Sequence, residues 1–93
     1  MLKFWIRLYK DGKIKKDYIC DAKGTTPGEM LEEGLKEACY ALDLSNPIIM
    51  KKHINDMREY SLTRFLPADF PESVDFDKAD VNIFDDSKNK KRK

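Results

Sequence analysis

Ninety-three residues with 41% hydrophobic and 11% aromatic content support one modest core, and exclude both a disordered chain and a two-domain one. Charged residues make up 38% of the chain yet nearly cancel, 18 basic against 17 acidic, which excludes a uniformly basic or acidic protein.

Leu2, Phe4, Ile6 and Leu8 alternate with Lys3, Trp5, Arg7 and Tyr9, the period of a strand with one buried face. Ile14 to Cys20 supplies a return strand after Asp11-Gly12. A three-residue loop, Lys10-Asp11-Gly12, would set Leu8 opposite Ile14, Phe4 opposite Tyr18 and Leu2 opposite Cys20, gathering the apolar residues on one face. A two-residue turn with regular pairing would scatter them. The bulged-loop hairpin is therefore the expectation.

Thr26-Pro27-Gly28-Glu29 reads as a helix start, with Thr26 as cap, Pro27 in the first position and Glu29 closing a capping box. Leu31, Leu35, Ala38, Cys39 and Leu42 follow at helical spacing, and the helix should end near Asp43, ahead of Asn46-Pro47. Pro47 to Met50 is an apolar run expected to be a strand. Residues 52–60 form one or two helical turns, Ser61 to Leu66 a weakly alternating strand, and Val74 to Ile83 a final extended segment. This order predicts an α+β fold: a mainly antiparallel sheet with an N-terminal β-hairpin and one long amphipathic helix packed on one face. Residues 1–86 form the single domain and 87–93 a basic, mobile tail.

No signal-peptide pattern or membrane-length apolar run is seen, so a cytoplasmic protein without membrane contact is expected. Cys20 and Cys39 lack metal-ligand spacing and are expected to be reduced thiols. No catalytic residue, metal site or cofactor is predicted. His53 is the only histidine, has no nucleophile beside it, and is expected to be exposed or half-packed. Asp75 and Asp77 would share a strand face, but the calcium-loop pattern is missing around them, so they read as edge charge. The turn Lys23-Gly24-Thr25-Thr26 opens a helix whose first turns hold Glu29, Glu32 and Glu33, and these answer the dipole in place of a phosphate.

Two features point outward. Lys3, Trp5, Arg7, Lys15 and Ile19 would stand on the face of the hairpin turned from the core, where a tryptophan among cations suits a protein partner or self-association. Lys88, Lys90, Lys91, Arg92 and Lys93 form a second candidate surface, for nucleic-acid phosphates. Without those five the chain carries 13 basic against 17 acidic residues, so the near-neutral total hides an acidic body at −4. A small non-enzymatic protein-interaction module, with self-association as one form of its contacts, is the first reading. A weak, non-specific nucleic-acid-associated protein is the second, and a small hydrolase or metal enzyme the third.

The segment Cys39-Tyr40-Ala41-Leu42-Asp43-Leu44-Ser45-Asn46-Pro47, then Thr63-Arg64-Phe65 and Val74-Asp75-Phe76-Asp77, with Lys10-Asp11-Gly12-Lys13 ahead of them, resembles a group of small uncharacterised bacterial proteins. The likeness spans residues 2 to about 85 and implies a shared fold; it carries no functional residue with it. A weaker likeness, to antitoxins with a strand–turn–strand and a following helix, spans Ile14 to Leu42 and lacks the third strand those domains place before the helix.

Overall fold

The computed structural model describes residues 2–85. Two nine-residue strands, β1 (Leu2–Lys10) and β2 (Lys13–Asp21), lead into helix α1 (Pro27–Ala41) and helix α2 (Lys51–Tyr60). A short strand β3 (Leu62–Phe65), a single 3-10 turn at Pro67–Asp69 and strand β4 (Lys78–Asp85) complete the domain. The strands form one antiparallel sheet in the order β2-β1-β4-β3. The α+β expectation of an antiparallel sheet behind an N-terminal hairpin therefore holds, and the helical turns expected over residues 52–60 form the ten-residue helix α2. α1 packs on β1 and β2, and α2 on β3, both on one side of the sheet.

The inward residues follow the strand period. Phe4, Ile6 and Leu8 of β1, Ala79 and Val81 of β4, and Phe65 of β3 meet Leu31, Leu35, Ala38 and Cys39 of α1 and Met57 of α2. Phe70 and Phe76, from the β3–β4 connection, close one end of this core edge-to-face, with centroids 5.3 Å apart.

The hairpin register differs from expectation. Asp11 (φ 54°) and Gly12 (φ 80°) are both left-handed, so the turn has two residues and a twist that matches the flanking strands. The extra residue sits in β2 instead: Lys15 bulges between Ile14, opposite Tyr9, and Lys16, opposite Leu8. Beyond the bulge Phe4 faces Cys20 and Ile6 faces Tyr18, so the apolar residues still gather on one side. Ile14, on the turn side of the bulge, is diverted to the outer face and is 50% exposed.

Thr26 caps α1 as predicted, its Oγ1 accepting from the Glu29 N–H at 3.2 Å. Glu29 reaches back one residue further than a capping box requires, to the Thr25 N–H and hydroxyl, which holds its carboxyl below the usual range. The helix ends through left-handed Asp43 (φ 60°), with the Leu44 N–H donating to the Cys39 carbonyl at 2.8 Å.

Two extended expectations fail. Pro47 to Met50 is not a strand: Pro47 offers no N–H, and the Ile48 N–H donates to the Asp69 carbonyl at 2.8 Å, outside the sheet. Val74 to Asp77 is a bent approach to β4, not a strand, so Asp75 and Asp77 share no strand face. Asp77 anchors the hairpin instead, its N–H donating to the Tyr9 carbonyl at 2.7 Å and its Oδ2 accepting from the Asp11 N–H at 2.8 Å.

Candidate interaction surface

With both helices on one side, the other side of the sheet carries no helix among the described residues. Odd-numbered residues of β1 point to it, and pairing aligns Trp5 with Ile19 of β2 and Asn82 of β4, and Arg7 with Asp17 and Asp80. Lys3, Trp5, Arg7 and Ile19 thus stand on one face, as the strand period implies. Lys15 does not share their row. As the bulged residue it turns to the β3–β4 connection and pairs with Asp75 at 2.5 Å, which lowers the Asp75 pKa.

Trp5 lies half-buried at the middle of this face. The Arg7 guanidinium stacks over its ring, 4.4 Å from the centroid, and Phe84 meets it edge-on at 6.1 Å. Its Nε1–H donates to Asp17 Oδ2 at 2.9 Å, while Arg7 Nη2 donates to Asn82 Oδ1. Arg7, Phe84 and Asp17 thus hold the indole from three sides, and Asn82 holds Arg7. Around them the charges pair off. Lys3 binds Asp21 at 2.7 Å and lowers its pKa, and Arg64 meets Asp80 with Nε at 2.7 Å from Oδ1. Ile14 and Ile19, each 50% exposed, and Leu62, 42% exposed, supply apolar area near the two edges.

Asn82, Phe84, Leu62, Arg64 and Asp80 also belong to this face, a placement that the sequence alone does not show. Their alternation in β3 and β4 is legible in the chain; the pairing of β4 beside β1 is not.

His53 is fully buried, against the expectation of an exposed or half-packed ring. As the third residue of α2 its Nδ1 accepts from the Met50 N–H at 2.9 Å, capping the helix from within, and its ring stacks on Phe65 at 4.1 Å. Asp69 does the same for the 3-10 turn, accepting from the Leu66 N–H at 2.9 Å. The two caps face each other, His53 Nε2 lying 3.7 Å from Asp69 Oδ2, beyond hydrogen-bond reach. Desolvation lowers the His53 pKa and outweighs the opposing carboxylates of Asp69 and Asp56. Asp56 itself accepts from the Thr63 hydroxyl at 3.1 Å, so it does not orient the imidazole.

A cleft of about 240 Å³ opens beside β3 between Asp56, Tyr60, Thr63, Arg64 and Asp80, where Thr63 pairs with Asp56 and Arg64 with Asp80. Cys20 and Cys39 are free thiols, both raised to about 11, chiefly by burial, so neither is a ready nucleophile. Among the described residues, no group of three or more His, Cys, Asp and Glu could hold a metal ion. No helix among them is long and apolar enough to cross a membrane. Lys88, Lys90, Lys91, Arg92 and Lys93 lie outside the described residues. Comparison with known proteins gives no matching family model, no matching curated protein and no matching solved structure.

Proposed function

We propose that the protein is a non-enzymatic interaction module that binds a protein partner on the helix-free face of its sheet. The observation that carries this reading is Trp5, held at the centre of that face by Arg7, Phe84 and Asp17. A large aromatic already ordered in the free protein loses little conformational freedom on binding, which is the usual character of an interface anchor. Lys3, Arg7 and Ile19 frame it. Lys15 belongs to the rim.

The test compares wild type with Trp5→Ala in co-precipitation from the native lysate and in sedimentation, with circular dichroism as a control for folding. A specific partner retained by wild type and lost by a folded Trp5→Ala supports the reading. A partner retained equally by both refutes it.

The composition of the tail favours nucleic-acid association as the second reading. Removing residues 88–93 would then abolish a salt-sensitive affinity for single- or double-stranded DNA. Binding unchanged by that truncation would overturn it. A hydrolytic role for His53 is not proposed, because Nδ1 is committed to Met50 and the ring is enclosed.

A further inference from the structure

Residues 44–50, between α1 and α2, carry no helix or strand. Two of their backbone donors end on one buried pair of side chains. The Ile48 N–H donates to the Asp69 carbonyl at 2.8 Å, and the Met50 N–H to His53 Nδ1 at 2.9 Å. His53 and Asp69 thus form a catch for this connection, with the imidazole enclosed and stacked on Phe65.

A backbone N–H only donates, so Nδ1 must hold a free lone pair and the ring proton must sit on Nε2. Nε2–H is then a buried donor with no hydrogen-bond partner, and Asp69 Oδ2 stands 3.7 Å away. A second proton can enter only at Nδ1. It makes Nδ1 a donor facing the Met50 N–H, and two donors at 2.9 Å repel. The charged ring cannot keep the cap. It gains an ion partner at the same moment, because about 1 Å of movement brings Nε2 within charge-assisted reach of Asp69 Oδ2. Asp69 can accept that bond and keep the one from the Leu66 N–H, since a carboxylate oxygen has two lone pairs.

We infer that His53 is a proton-operated latch on the α1–α2 connection: neutral, it caps Met50 through Nδ1; charged, it passes to Asp69 through Nε2 and releases Met50. The influences on the ring divide. Burial and Lys52 of α2 resist the charge, while Asp69 of the 3-10 turn, Asp56 of α2 and the Arg64 backbone of β3 favour it. Burial prevails, so the latch is shut at neutral pH and opens below the ordinary histidine value of 6.5. The opening is local. It frees the start of α2, while the Ile48 bond ends on a backbone carbonyl that the proton does not touch. The latch lies on the helix side of the sheet and does not depend on the Trp5 face.

Nuclear magnetic resonance on the full chain tests this, with the His53 ring and the backbone amides followed from about pH 8 to about pH 5. The neutral ring should be the Nε2–H tautomer. As it titrates, exchange protection of the Met50 amide should fall at least about tenfold, while that of Phe4 and Ile6 stays constant. His53→Gln supplies a second arm. Glutamine three residues after a helix cap can accept from the same N–H without titrating, so Met50 protection should become independent of pH. An Nδ1–H tautomer in the neutral protein overturns the inference, as does wild-type Met50 protection that is constant across the range. Loss of protection at Phe4 and Ile6 together with Met50 overturns the local opening. The same pH-dependent loss in His53→Gln removes His53 as its cause.

Discussion

Gly34→Ala tests how α1 is seated on the sheet. Gly34 is buried at the middle of α1, and a Cβ built on it would overlap three carbons of the Phe4 ring. Phe4 is fully buried in β1, so the ring has no free space to turn into. Alanine returns about 1 kcal/mol of helix propensity, whereas forcing a methyl into a filled core costs about 1–3 kcal/mol or more. With overlap this deep and a rigid aromatic as the neighbour, the cost prevails. A net loss of roughly 1–2 kcal/mol is expected, lowering Tm by about 4–8 °C for each kcal/mol in a domain of this size.

Gly28 on the same helix supplies the control. A Cβ there meets Ile54 at 3.7 Å, an ordinary contact, so Gly28→Ala should stabilise by about 0.5 kcal/mol. Thermal and urea melts of both variants measure the contrast. Gly34→Ala combined with Phe4→Leu should lose less than the two single changes added, by about 1 kcal/mol, because the smaller side chain vacates the space. Equal or greater stability in Gly34→Ala would refute the close approach of α1 to β1.

Thr26→Ala removes the side-chain cap of α1 and should cost about 1 kcal/mol in urea unfolding; no measurable change would mean that Glu29 alone satisfies the helix start. His53 should make folding acid-sensitive. Its folded pKa lies below the ordinary 6.5, so its stabilising contribution is complete above that pH and declines as pH falls from there toward the folded value. Melts of wild type and His53→Phe across that range should converge as pH falls, and a constant difference would refute the assignment.

What was legible in the chain was whatever rests on local spacing. The alternation of β1, and of β2 beyond its bulge, names the residues on each face, and Thr26-Pro27 marks the start of α1 within a residue. The hairpin register was misread because only the place of the extra residue distinguishes the alternatives: Asp11-Gly12 takes a tight turn, and Lys15 bulges instead. Pro47 to Met50 was misread because a short apolar run suits a strand or a buried approach to a helix equally well. His53 was misread because its burial depends on Phe65 and Asp69, brought to it by α2 turning into β3 through left-handed Ser61. A back-capping signal was present locally, three residues after Met50, and again in Asp69 three after Leu66. It marks where polar side chains can be buried at short helix starts.

The outer face also changes what charge means in this molecule. Lys3, Lys15 and Arg64 each have a carboxylate within 2.7 Å, and Arg7 is spent on Trp5 and Asn82. Those cations order the surface and leave little net field to attract a polyanion, since exposed pairs neutralise one another at short range. A partner suited to it should present its own aromatic and mixed-charge groups, exchanging pair for pair. Its affinity should then depend only weakly on salt. A steep salt dependence that survives removal of residues 88–93 would require unpaired positive charge on this face, and so would contradict the pairing described above.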